Sequence, residues 1–462
     1  MRESQPVLGS FRDPGGFVFR RDGVLFRQVG HRHRSSYDLL LDSGLYSALT
    51  DSHLLIRHEE VDVEPAEPDA YRILRPDPVR FVSYPYEWSF SELRDAALTT
   101  LRVQSIAMDH GMSLRDASAY NVQFHHGRPT LIDTLSFEAI PEGRPWIAYR
   151  QFCQFFLAPL ALMSYRDVRL GRLLRDHVDG LPLDLAVRLL PRRARLRPPL
   201  LLHLFLHARS QRRHQRDTSP AEDRAPRMSS RALRGLLDSL RNAIEGLKTP
   251  TASAGWSTYD DETEHYGSEA TGAKEAAVET FIEQVGPRVV WDLGANVGRF
   301  SRLASSRGIE TVAFDLDPDC VEATYRRVRA EDDGHLLPLV LDLADPSPAI
   351  GWANEERMTL AQRGPADLCL ALALIHHLAI GNNVPLPRIA GFLAEISRWA
   401  VVEFVPKDDE KVSLLLFNRE DVFTDYTVDG FERAVAPWFE IEQRAPVTGT
   451  ARVLYLLRRW ER

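Results

Sequence analysis

A chain of 462 residues can hold two or three domains, each with its own core. With 44% hydrophobic and 26% charged residues it has the composition of a soluble globular protein, and a net charge of -8 gives no reason to expect nucleic acid or a membrane as general partner. Cys153, Cys320 and Cys369 are widely spaced in apolar surroundings, which argues against a disulfide or metal framework; with no N-terminal signal pattern and no apolar run long enough to span a bilayer, a cytoplasmic location is expected.

In chain order, Phe17 to Val29 alternates apolar and polar residues around Asp22-Gly23, which predicts two strands joined by a tight turn. A polar, proline-marked stretch from Glu59 to Pro78 leads to Val79-Arg80-Phe81-Val82-Ser83, expected as another short strand. Helical spacing of Leu93, Ala97, Leu101 and Ile106 predicts a helix from Ser91 to about His110. Strands followed by helices suggest a small sheet-rich lobe, about 11–88, and a helical lobe, about 89–210.

The segment Leu114-Arg115-Asp116-Ala117-Ser118-Ala119-Tyr120-Asn121, followed by Gly127-Arg128-Pro129-Thr130-Leu131-Ile132-Asp133-Thr134, resembles the catalytic loop and metal-binding strand end of the protein-kinase-like and aminoglycoside-phosphotransferase-like fold. The resemblance covers about residues 11–210. It implies Asp116 as catalytic base, Asn121 and Asp133 as magnesium ligands, Phe81 to Trp88 as the hinge, and Mg-ATP as ligand if the lobe is active. The sequence departs from that pattern: Leu114 replaces the histidine before Arg-Asp, Thr134-Leu135 replaces Phe-Gly, and no lysine precedes Asp116. Arg27, on the second hairpin strand, is the obvious stand-in, although its planar fork differs from an ammonium. Three readings stay open: an active kinase, a degenerate lobe used for binding or positioning, and an unrelated domain in which Asp116 and Asn121 cap a turn.

Residues 145–210 read as helical, broken at Pro159, Pro182 and Pro191. Nine arginines and no acid lie between Asp184 and Asp217, either a patch for nucleic acid or a phosphorylated ligand, or arginine-faced helices lying on the lobe; the second reading is preferred. Residues 211–256 read as a linker with a short amphipathic helix at about 231–247, ahead of Trp256, Tyr259, His265 and Tyr266, which either close over a ligand or pack.

The last part, 257–462, is organised around Val289-Val290-Trp291-Asp292-Leu293-Gly294-Ala295-Asn296-Val297-Gly298, a buried strand turning into a helix whose N-terminal amides would face a ligand. Further strands are expected at Thr311 to Asp315, Leu336 to Leu341, Asp367 to Leu374 and Trp399 to Val405, making a doubly wound parallel sheet. Trp438 to Val447 and Ala451 to Leu457, joined by Thr448-Gly449-Thr450, add a closing hairpin.

A parallel sheet that ends in an antiparallel hairpin resembles the class I S-adenosylmethionine-dependent methyltransferase fold. The expected fold class is therefore α/β: a Rossmann-like sheet preceded by an α+β kinase-like domain. The resemblance implies S-adenosylmethionine as cofactor, with Asp292, Gly294, Asn296 and Gly298 around its methionine part, Asp315 at the ribose, and Asp342 with the amide of Leu343 at the adenine. It places His376, His377 and Glu403 near the transferred methyl, with paired histidines that merely cap a strand as the alternative. The segments Pro346 to Trp352 and Glu403 to Asp409 are expected to border the acceptor. Over its whole length the chain is similar to bacterial nodulation-associated methyltransferase proteins, which leaves the acceptor, a small molecule or peptide, unnamed. The readings that follow are a methyltransferase with a silent kinase-like lobe, a bifunctional kinase-methyltransferase, and a non-catalytic interaction protein.

Overall fold

Asp22 and Gly23 both adopt positive φ, and the tight turn they make joins β2 (Gly16–Arg21) to β3 (Val24–Val29) as an antiparallel pair. The structure, a computed structural model, describes residues 4–141, 143–214, 228–249, 268–417 and 420–461. It divides into two units, Met1–Pro250 with Ala349–Arg357, and Thr251–Pro348 with Met358–Arg462. Among the described residues no helix is long and apolar enough to cross a membrane.

In the first unit β1 (Gln5–Pro6), β2, β3, β4 (His58–Glu60) and β5 (Arg72–Pro76) form one sheet in the order β1-β2-β3-β5-β4. The expected strand at Val79 to Ser83 does not form. The backbone N–H and C=O of Ser83 are taken at 2.8 and 2.9 Å by the side-chain amide of Gln123, so a side chain stands where a neighbouring strand would pair. The sheet's partner strand comes instead from Arg72–Pro76, inside the stretch read as polar connection. Two helices, Arg34–Asp42 and Leu45–Asp51, also intervene between β3 and β4.

The helix Phe90–Asp109 starts at a reciprocal cap, in which Ser89 and Glu92 each accept the other's backbone N–H, and it buries Leu93, Ala97 and Leu101. Two small antiparallel pairs follow, β6 (Met112–Leu114) with β9 (Phe137–Ala139) and β7 (Val122–His125) with β8 (Arg128–Leu131). Pro159 does not break its helix: Tyr149–Phe152 and Ala158–Tyr165 run together through a wider π turn, Cys153–Leu157. The helix Ser230–Glu245, read as linker, packs on Phe90–Asp109 and belongs to the first unit. Trp256, Tyr259, His265 and Tyr266 lie outside the described residues.

The second unit is a seven-stranded sheet of β10 (Val289–Leu293), β11 (Glu310–Asp315), β12 (Leu336–Val340), β13 (Ala366–Ala371), β14 (Ser397–Phe404), β15 (Phe439–Pro446) and β16 (Val453–Arg459). Its order is β12-β11-β10-β13-β14-β16-β15, with the first five strands parallel and the last two antiparallel. This is the Rossmann-like arrangement with a closing hairpin that the sequence implied. The switch point lies at β10, whose neighbours are reached by connections running in opposite directions, so the cleft for a ligand opens at its carboxyl end. The strands bury Val290, Leu368, Leu370, Val401 and Leu456 against Phe281 and Ile282 of the helix Ser268–Val285.

Candidate functional site

At the carboxyl end of β10 the chain bends through Gly294, Asn296 and Gly298, with φ of 77°, 50° and 74°. Glycine is required at 298 for space as well as for its backbone angle, since a Cβ there would come within 2.9 Å of Thr324 Cγ2. The bend's amides do not face outward as expected. Those of Gly294 and Ala295 donate to Phe314 O, that of Asn296 to Asp315 Oδ2 at 2.6 Å, that of Val297 to Asn296 Oδ1, and that of Gly298 to Ala295 O. With the five amides from Gly294 to Gly298 taken, this stretch offers few N–H groups to a phosphate, which needs several at once.

Three acids stand at three adjacent strand ends. Asp292 is 2% exposed, accepts a 2.6 Å bond from the Ser301 hydroxyl, and has its pKa pushed up to about 6 by burial. The neighbouring Asp315 charge adds to that rise, while Lys274 opposes it. Asp315 accepts the amides of Asn296 and Asp317, one on each oxygen, and burial raises its pKa as well. The Leu316 amide also contributes, which leaves room on the carboxylate for one further donor such as a hydroxyl. Asp342 follows β12, where the Leu341 amide bonds Asp315 O, and holds the turn through Ala344 N while Leu343 lies half-buried beside it.

Beyond β13, the rings of His376 and His377 lie with centroids 4.2 Å apart and planes tilted by 37°. His376 is 2% exposed, its Nδ1 has no hydrogen-bond partner, and burial, helped by His377 and Lys274, brings its pKa down to about 3. Burial lowers His377 too, so both rings are neutral at ordinary pH. A base of such low pKa removes a proton poorly.

Glu403 differs from its expected role. Its side chain is fully buried, with Oε2 2.6 Å from Lys274 Nζ and Oε1 3.3 Å from Arg452 Nη1, and Arg452 also grips Asp409. It is the anion of a charge cluster rather than a free base. Lys274, from the helix Ser268–Val285, was missed in the sequence. Its ammonium sits 4.7 Å from the Phe300 ring centroid and acts on both Asp292 and His376. The available signal was its rarity, as one of four lysines in the chain.

In the first unit Asp116, Asn121 and Asp133 do come together. Asp116 accepts Ser118 N at 2.8 Å and bonds Gln151 and Asn121, and burial raises its pKa. Asn121 donates to Ser136 Oγ, whose hydroxyl bonds Asp133. Asp133, however, is joined to Arg27 of β3 in a partly buried ion pair. Burial alone would raise the Asp133 pKa, but Arg27, Ser136 and the Leu135 amide together hold it below the usual carboxylate range. Arg115 grips Asp13 through 2.9 and 2.8 Å bonds and so ties the loop ahead of β2 to this cluster. The segment Ala349–Arg357, which takes in the end of the stretch Pro346 to Trp352, also packs within this unit. Glu356 is bound by Arg12 at 2.9 and 2.7 Å, and the Arg357 guanidinium lies 4.1 Å from the ring centroid of Tyr120, next to Asn121.

No family model matches the chain. The nodulation protein NoeA of Rhizobium meliloti (strain 1021) is 35% identical over 467 residues, covering 98% of this chain and 96% of NoeA. The chain belongs to the NoeA family. Because that similarity runs end to end, both units are part of what the family shares. Among solved structures, WbdD, described as a bifunctional kinase-methyltransferase, matches at 15% identity over 41% of this chain and 40% of its own length, with a TM-score of 0.30. The magnesium protoporphyrin IX methyltransferase ChlM of Synechocystis PCC 6803, solved with bound SAH, matches at 16% identity over 44% of this chain and 95% of its own, with a TM-score of 0.32.

Proposed function

We propose that the second unit binds S-adenosyl-L-methionine and transfers its methyl group to a small-molecule or peptide acceptor, and that the first unit binds or positions that acceptor without transferring phosphate. The observation that carries this reading is the meeting of two carboxyl groups, the buried Asp292 and the half-buried Asp315, at a glycine-lined bend whose amides from Gly294 to Gly298 are used internally. Such a site offers anions to a ligand that brings positive charge and hydroxyls. The cofactor supplies a methyl group on a positively charged sulfur. Asp292 would attract its positive end, Asp315 would accept from its ribose hydroxyls, and Asp342 with Leu343 would flank its adenine.

Methyl transfer needs an acceptor held in line rather than elaborate proton chemistry. His376 suits that task, with an unpartnered Nδ1 in a buried, neutral ring able to bond the acceptor. The first unit supports the silent reading through the Arg27–Asp133 pair, which spends on an internal cation the carboxylate that would hold magnesium. Calorimetric titration of the full chain tests both parts. Affinity for S-adenosylmethionine and for its demethylated product is expected, and no magnesium-dependent affinity for ATP. Absence of the first would sink the reading, and magnesium-dependent ATP binding abolished by Asp133→Ala would restore a bifunctional enzyme.

A further inference from the structure

In the helical lobe of the first unit the chain turns at Arg192–Leu196 and enters a helix at Pro198–Leu200 that continues through a π segment, Leu201–Leu206, into His207–His214. In π geometry residue i lies over i+5, so Leu206 stands above Leu201 with Leu202 beside them. At α-helical spacing Phe205 would fall between Leu201 and Leu202 and split this face. Here His203, Leu204 and Phe205 turn inward instead, and the register is pinned by His203, which bonds the Tyr149 hydroxyl and the Ser239 hydroxyl, each at 2.8 Å. The consequence is an outward leucine face: Leu202 is 49% exposed, Leu206 48%, and Leu196 on the preceding turn 84%.

Arg192, Arg193, Arg195, Arg197, Arg209 and Arg212 are exposed on the same stretch of chain, and none of them pairs with a carboxylate among the described residues. Arg195 and Arg193 lie instead over the rings of Phe205 and Tyr165, at 5.0 and 5.8 Å, and Arg197 bonds the Gly246 carbonyl. The charges therefore remain available to a partner. We propose that this face docks on an anionic lipid surface, with the leucines entering the boundary between headgroups and acyl chains and the arginines meeting the phosphates.

The pattern selects that partner over others. Nucleic acid would satisfy the arginines and leave the leucines in water. A second copy docked face to face would set arginine against arginine. Residues 215–227, next along the chain, contain no leucine, isoleucine, valine or aromatic residue with which to cover the face. A bilayer takes both features together, as amphipathic elements with a basic border do. The overall charge of -8 does not forbid this, because beyond about 10 Å charges at the surface are largely screened at ordinary salt.

Sedimentation of the full chain with vesicles of phosphatidylcholine alone, and of phosphatidylcholine with 30% phosphatidylglycerol, tests the proposal. Binding is expected to the anionic vesicles only, weakening as salt is raised. Leu202→Ser with Leu206→Ser should reduce it about tenfold or more, and Arg209→Glu with Arg212→Glu should do so independently, since each arginine near such a surface contributes roughly a fivefold factor. Both variants change exposed side chains, and an unaltered circular dichroism spectrum and melting temperature confirm that each is folded. The proposal is overturned if the wild type ignores anionic vesicles, or if both folded variants bind as it does. It is equally overturned if the wild type is a dimer that Leu202→Ser with Leu206→Ser dissociates, or if it prefers DNA to the vesicles.

Discussion

Asp133 in the first unit and Asp315 in the second both occupy the place where a nucleotide-binding fold keeps its acid, yet they stand in opposite electrical states. Asp133 has its cation built in, and Arg27 holds its pKa down against burial. Asp315 and its neighbour Asp292 have no such partner in contact, and burial holds both pKa values up. The contrast recurs within the second unit, where Glu403 is clamped by Lys274 and Arg452. An acid already neutralised by the protein maintains the fold, whereas one buried at a cost is poised for a ligand that supplies the missing charge or donors.

The largest expected effects test the neutralised acids. Glu403→Gln would leave Lys274 and Arg452 buried without their shared anion and should cost about 3 kcal/mol, near the lower end for a broken buried pair, read as a reduced urea midpoint. If the variant instead kept full stability and lost methyl transfer, Glu403 would be a base after all. Next in size, Asp133→Ala strands the Arg27 guanidinium and should cost about 2 kcal/mol in thermal unfolding. Replacing both partners, Arg27→Met with Asp133→Leu, should recover most of that loss, because a buried pair and an apolar pair of similar volume are close in free energy. A pair that served magnesium and ATP would instead show its loss in nucleotide affinity.

The acids without partners should respond in binding rather than in stability. Asp315→Ala removes the acceptor for the ribose hydroxyls and should weaken S-adenosylmethionine by about 1 to 3 kcal/mol, measured by calorimetry. An unchanged affinity would mean that the three strand ends do not form the cofactor site.

Much of this contrast could be read from sequence order, and the rest could not. The strands β10 to β16 and the acids at their tips follow from apolar runs of the right length, each closing on Asp or leading into a turn. The hairpin β2–β3 follows from Asp22-Gly23. What sequence order could not give was pairing through side chains: Gln123 replacing a strand at Ser83, Arg27 crossing to Asp133 over 106 positions, and Lys274 reaching Glu403 over 129. The outward leucines of Leu201–Leu206 were hidden for a different reason. The expected period was that of an α-helix, and the face forms only in π register.

The smallest effect is the most diagnostic, because it depends on the sign of a single shift. In the free protein Asp292 titrates near 6, above its unfolded value, so its contribution to stability is fullest below about pH 4 and is lost as pH rises through 6. Cofactor binding should run the other way. A cation beside Asp292 favours the ionised form, so affinity for S-adenosylmethionine should increase by roughly five- to tenfold between pH 5 and 7, equivalent to about 1 kcal/mol. Asp292→Asn should flatten that rise and, by removing the cost of burying a charge, leave the free protein at least as stable at pH 7. A neutral ligand that competes for the same cleft without a donor for Asp292 should show no such slope, because only a positive charge or a hydrogen-bond donor gains from ionising Asp292. A wild-type profile that falls over this range would place a negative group against Asp292 and reverse the assignment of the site.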